Sequence, residues 1–332
     1  MTQSTVHTHF VPAWLGRVFS ALLDPTIVFS FDRTGYWLHS ASYRPGDLEV
    51  NLTGCVCLVT GANSGLGFEA ARELAWRGGE VWLLCRDAER GQAALEQIQR
   101  EQPNALLHLE LLDVSNLSMV RLFAKRFPRD RVGVLVNNAG ILPVTRRETV
   151  EGIETTWATN VLGPFLLTEL LLPRLRAAGT ARVITVSSGG MYPMRLTLDD
   201  VESRNGAFSG VRAYSLTKRA QVVLNELWAE HCAGSGIMFC AMHPGWVDTA
   251  GIRSSLPGFH QLLGRRFRNL AEGADTIVWL AVCERIAGIS GKFWFDRRQR
   301  WTHFLPWTRE RRADRERLWE ICDQQAKLGY KE

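Results

Sequence analysis

At 332 residues the chain is long enough to bury a large core and falls within the range of one α/β domain with extensions. With 46% hydrophobic and 22% charged residues, it has an ordinary globular balance that excludes a disordered or low-complexity protein. A net charge of +5 over this length does not imply a nucleic-acid partner, and seven cysteines without metal-ligand spacing read as packing in a reducing compartment rather than disulfides or a metal site. Residues 10–31, FVPAWLGRVFSALLDPTIVFSF, are apolar but broken by Pro12, Arg17, Asp24 and Pro25. No run long enough to span a bilayer survives, and no small-residue cleavage site follows, so the protein is expected not to be secreted. The stretch reads as an amphipathic segment that packs on the domain or lies on a membrane, with Trp14, Phe19, Leu22 and Leu23 inserted and Arg17 at the rim. It belongs to an extension over residues 1–49, ahead of a body over 50–300 and a tail over 301–332.

The body alternates short apolar runs with helical stretches. CVCLVT (55–60) predicts a buried strand, GANSGLG (61–67) a turn and FEAARELAWRGG (68–79) a helix stopped by Gly78 and Gly79, with the strand EVWLLC next. Glycines at the first strand-to-helix turn of a βαβ unit let the backbone approach a pyrophosphate, which the helix N-terminus favours. ALLHLELLDV, VGVLVNNAG, ARVITVSS and GIMFCAMHPG predict further strands, and the alternation predicts an α/β, doubly wound parallel sheet of Rossmann-like type. In VRAYSLTKRA, Tyr214 and Lys218 stand four residues apart on one helix face. Alone, that spacing equally describes a surface tyrosine and a solvated lysine. Residues 189–213 form a loop in which Met191, Tyr192 and Met194 line a cleft or simply pack, and RERRADRERLWEICDQQ predicts a charged amphipathic helix packed on the body.

Thr60 to Gly67, Asn137-Asn138-Ala139-Gly140, Asn160, Ser188, Tyr214 with Lys218, and Pro244-Gly245 stand in the order of the classical short-chain dehydrogenase/reductases, which the chain resembles over roughly residues 50–300. The resemblance implies a catalytic tetrad of Asn160, Ser188, Tyr214 and Lys218. Tyr214 would exchange a proton with the substrate oxygen, with its phenol drawn down from about 10 by the neighbouring Lys218. Ser188 would hydrogen-bond the same oxygen, Lys218 would also hold the nicotinamide ribose, and Asn160 would support a water relay to it. The implied cofactor residues are Gly61, Asn63, Ser64, Gly65, Leu66 and Gly67 in the turn, Arg86 after the second strand, Asp113, Asn137, Ala139, Gly140, Tyr214, Lys218, Pro244, Gly245 and Thr249. An arginine at 86 and no acid at Cys85 favour NADP(H) over NAD(H), although the position before the second glycine, basic in many NADP-preferring relatives, is Ser64. Residues 251–270 would form a substrate lid for a lipophilic carbonyl or alcohol, with Arg265, Arg266 and Arg268 on a solvated helical face or against a membrane. Homo-oligomerisation through helices around the fourth and fifth crossovers and a cytoplasmic or membrane-peripheral location complete the expectation. A non-catalytic dinucleotide-binding protein or a membrane scaffold are the rival readings; the four residues together argue against the first.

Overall fold

Val56–Thr60 (β1) is buried along its whole length, as a strand covered on both faces must be. The computed structural model describes residues 28–249, 253, 255 and 257–327, and the N-terminal side chains expected at a membrane lie outside these. The sheet continues with Glu80–Cys85 (β2), Leu107–Leu111 (β3), Val134–Asn137 (β4), Ala181–Val186 (β5), Ile237–Met242 (β6), Lys292–Phe295 (β7) and Arg298–Gln299 (β8). Its order is β3-β2-β1-β4-β5-β6-β7-β8, parallel throughout except for the antiparallel β7–β8 pair. Strand order reverses between β1 and β4, and the crevice beyond their carboxyl ends is where such a sheet binds ligands.

Two short helices, Val28–Phe31 (α1) and Arg33–Ser40 (α2), precede the sheet. Gly65–Trp76 (α3) and Ala88–Glu101 (α4) pack on one face with Leu270–Val282 (α9), through Leu74, Ile98, Ile277 and Leu280. Leu117–Arg126 (α5), Gly163–Ala177 (α6) and Gly210–His231 (α7) cover the other, through Phe123, Phe165, Leu171 and Leu224. Pro257–Leu263 (α8) lies in the expected lid, and Arg312–Ala326 (α10) is the helix expected in the tail. Leu318, Ile321 and Cys322 of α10 join the core beside α6 and α7, so α10 covers part of the helical face through which an oligomer was expected.

Two expectations are corrected and an open one is resolved. Helix α3 starts at Gly65 rather than Phe68: the backbone is extended at Ser64 and Gly65, at φ +60°, opens the helix without a side-chain cap. Of the two readings for Met191, Tyr192 and Met194, packing holds: Met191 and Tyr192 are buried with Phe31, Phe293 and Phe295, and Met194 packs at the edge of the main core. Arg268 is not solvated. Its guanidinium is buried and bidentate to Asp296 (2.6 and 2.8 Å), and it donates to the carbonyls of Ser30 (3.0 Å), Phe31 (3.1 Å) and Asp32 (3.2 Å). His39 Nδ1 meets the same carboxylate at 2.6 Å. This one ion pair therefore stitches the end of the N-terminal extension to the body.

Candidate active site

A cleft of about 610 Å³ opens at the switch point, walled by the glycine turn, the ends of β2 to β6 and the start of α7. Gly61 (φ +65°) turns the chain tightly against β4: a Cβ there would meet Ala139 Cα at 3.1 Å. A Cβ on Gly65 would stand in open space, so the N-terminus of α3 is bare to whatever occupies the cleft. Gly67 is not on the wall. It is a packing glycine whose Cβ would fall 2.4 Å from both Gly61 O and Asn138 Nδ2. Leu66, Asn63 and Ser64 line the cleft as expected.

Arg86 and Arg90 stand together on the outer wall, both exposed. Arg90 Nη2 donates to Ser64 Oγ at 3.4 Å, and Asn63 Oδ1, in the orientation that satisfies both groups, accepts from Arg90 Nη2 and Nε at 3.1 and 3.3 Å. A basic group thus reaches the turn position that holds Ser64. Cys85 is buried, its thiol pushed up to about 11 by desolvation, and offers no acid to a ribose. Asp113 lines the cleft while its Oδ1 accepts from the backbone and hydroxyl of Ser115 (2.9 and 2.7 Å). Asn137 turns away: its Nδ2 donates to Thr168 of α6 at 3.1 Å, and Asn138, Ala139 and Gly140 form the wall instead. Pro244, Gly245 and Thr249 close the side opposite.

At the inner end Ser188 caps the turn after β5 and Tyr214 stands in the first turns of α7; the two side chains converge on Gly190, where a Cβ would lie 3.7 Å from Ser188 Oγ and 3.9 Å from Tyr214 Cε1. Lys218 lies one turn on, its Nζ 5.4 Å from the Tyr214 ring centre and donating to Val186 O at 2.8 Å. Ser187 points the other way, its hydroxyl donating to Lys218 O at 2.8 Å, so the end of β5 holds the lysine at both ends. Asn160 sits in the π-helical turn Ala158–Leu162 leading into α6. It accepts from Ile141 N (2.9 Å) and donates to Ile141 O (3.1 Å) and Thr217 Oγ1 (2.9 Å), while its carbonyl accepts from Gln221 Nε2 (2.7 Å). The phenol does not titrate as expected in this arrangement. Burial raises Tyr214 above its ordinary value, with the neighbouring Ser188 hydroxyl acting against the rise, and burial alone lowers Lys218 to about 7. An ammonium that is itself poorly solvated loses its charge before it can stabilise a phenolate.

A larger groove of about 1390 Å³ runs along the far ends of β5 to β7, past Thr180, Gly236 and Gly291. None of the tetrad or the glycine turn lines it, so it is not the reaction site. Among the described residues no cluster of histidine, cysteine or acidic side chains could hold a metal ion, and no helix is long and apolar enough to cross a membrane.

The short chain dehydrogenase profile matches residues 55–198. A dehydrogenase/reductase SDR family member 12 from Bos taurus is 44% identical over 300 residues, covering 90% of this chain and 94% of its own. The chain belongs to the short-chain dehydrogenase/reductase family. Retinol dehydrogenase 12 from Homo sapiens is 36% identical, with 82% and 86% of the two chains covered. The crystal structure of an uncharacterized protein from Mycobacterium Paratuberculosis superposes with a TM-score of 0.68 at 30% identity, over 85% of this chain and 97% of that one. Membership makes this chain an NAD(P)-dependent oxidoreductase.

This short-chain dehydrogenase/reductase also uses residues that sequence reasoning passed over. Asn138 Nδ2 ties β4 to the glycine turn, donating to Thr60 O at 2.9 Å. His243, buried on the cleft wall, accepts at Nδ1 from Gly189 N (3.1 Å) and Gly245 N (3.3 Å), joining the turn behind Ser188 to the Pro244-Gly245 turn. Burial and Arg268 push its pKa down to about 3, so the ring stays neutral and keeps that acceptor. The parallel register Val186↔Met242 was the available signal, since it sets the residues just past β5 beside those just past β6.

Proposed function

We propose that this chain is an NADP(H)-dependent oxidoreductase acting on the hydroxyl or carbonyl of a lipophilic small molecule, in an intracellular setting that suits seven free thiols. The observation that carries the reading is the convergence of Ser188, Tyr214 and Lys218 at the inner end of a glycine-turned cleft. The residues fit a dinucleotide: the bare N-terminus at Gly65 suits a pyrophosphate, and Arg86 with Arg90 suits a 2′-phosphate. Bound nicotinamide supplies or accepts the hydride. Asn63, Ser64 and Leu66 would flank the pyrophosphate, Asp113 the adenine, and Lys218 the nicotinamide ribose. Tyr214 gives a proton to the substrate oxygen in reduction and takes one in oxidation, and the Ser188 hydroxyl steadies the charge that develops there. Asn160 holds Ile141 and Thr217 in place around the lysine.

The substrate class rests on Ile141, Leu142, Val186, Val211 and Trp246 in the wall, and on the likeness to an enzyme named for retinol, a lipophilic alcohol. A panel of lipophilic aldehydes, ketones and alcohols, assayed with NADPH, NADP⁺ and their NAD counterparts, tests the reading. Turnover with the phosphorylated cofactor on apolar members supports it; turnover confined to small hydrophilic carbonyls or to NADH contradicts it.

A further inference from the structure

The stretch RRQRWTHFLPWTRERR, residues 297–312, carries six arginines and one acid, Glu310. Within it Trp301 is 80% exposed, Trp307 67% and Phe304 47%. Two tryptophans left in water so close together in the chain mark a surface built for a partner. The strap is firmly held. Arg219, buried and next in sequence to Lys218, pairs with Glu310, donates to Thr302 O at 2.6 Å and approaches Met191 Sδ at 3.3 Å. Glu310 also meets His303 at 3.1 Å, so the one acid of the strap is spent inward. Phe304 stacks on Tyr192 at 4.1 Å, and Tyr192 on Phe31 at 6.2 Å. The strap is thus fastened to the helix that carries Lys218 and to the turn that follows Ser188, beside the point where the apolar N-terminal stretch enters the described fold.

We infer that this strap is a docking surface for an anionic lipid membrane. Indole rings prefer the headgroup depth of a bilayer, and guanidinium groups are drawn to anionic lipids. The exposed Arg311 and Arg312 pair with Asp314 and Glu316, but such solvated pairs exchange readily for headgroup phosphates. The exposed arginines Arg309, Arg311 and Arg312 select an acidic bilayer as the occupant, while Arg297 is spent inward on Asp275. The apolar sequence ahead of α1, expected at a membrane from its composition, would supply the second anchor that stable peripheral binding needs. The inference deepens the proposed function, on which it rests for its purpose: a lipophilic substrate is met at the surface where it dissolves.

The experiment sediments the full chain with vesicles of phosphatidylcholine alone and with phosphatidylserine added. The wild type should bind the phosphatidylserine vesicles, more weakly at high salt and on the neutral lipid. Replacing both exposed tryptophans (Trp301→Ser with Trp307→Ser) should weaken that binding by about tenfold or more, with an unchanged melting temperature. Arg309→Glu with Arg312→Glu should remove the preference for the acidic lipid. A wild type that does not bind, or two double variants that bind like it, would overturn the inference; the second result assigns any binding to the N-terminal stretch alone. Vesicle binding is read without turnover, so a chain that binds but reduces no carbonyl would sink the functional reading and leave this one standing.

Discussion

Lys218 stands where an ammonium is costly to keep. It is 3% exposed, and burial brings its pKa from 10.5 to about 7. The folded value lies below the unfolded one, so between these two limits the unfolded chain binds more protons and stability rises with pH. Lys218→Met should therefore melt higher than the wild type at pH 7, with the advantage shrinking as pH is raised toward 10, as thermal melts across that window will show. A pH-independent difference would mean that Lys218 keeps its ordinary pKa in the fold. Arg86 makes the second prediction at this scale. If it faces the 2′-phosphate, Arg86→Asp should weaken NADPH by at least about tenfold and leave NADH equal or tighter. The ratio of the two dissociation constants, measured by titration, is insensitive to general damage because both cofactors share the glycine turn. An unchanged ratio would leave the cofactor preference to Arg90 or to neither. The places of Tyr214 and Ser188 on the cleft were legible because chain order carries them. Arg90 was not, since nothing local announces that a side chain on α4 will fold back to Ser64.

Among elements, the N-terminal extension shows how much one buried pair can decide. Asp296 is held well below the usual carboxylate range: burial acts to raise it, but Arg268 and His39 outweigh burial. Replacing one partner leaves the other charged and buried. Arg268→Met should cost about 3–5 kcal/mol in denaturant unfolding, and should loosen α1 and α2 to proteolysis before the sheet. A loss within the range of an ordinary surface substitution would show that the pair is dispensable. Sequence periodicity read Arg265, Arg266 and Arg268 as one helical face because it does not see where a helix stops. Here α8 ends at Leu263, a 3₁₀ turn follows over Gly264–Arg266, and Arg268 then bridges Val247 in extended backbone. The first helix was misplaced for the converse reason, glycines being read as turn when two of them begin the helix.

For the whole molecule, the doubly wound sheet was legible because buried parallel strands leave continuous apolar runs, and each run was found within a few residues of its place. What packs on that frame was less so. Residues 189–213 were expected beside the cleft, and Gly189, Gly190 and Val211 line it, while Met191 and Tyr192 turn inward to meet Phe31 and the strap, contacts far apart in sequence that no local pattern encodes. The result is a cleft whose reacting end is built from β5 and α7 and braced by both ends of the chain. Under the proposed function this assembly moves a proton at Tyr214 while hydride is transferred. Tyr214→Phe removes the phenolic hydroxyl with little change in volume, and the decisive measurement is its NADPH-dependent turnover of an accepted carbonyl beside its NADPH dissociation constant. Cofactor affinity should stay near that of the wild type and turnover should fall by at least about 100-fold. Unchanged turnover at equal cofactor affinity would contradict the proposed function.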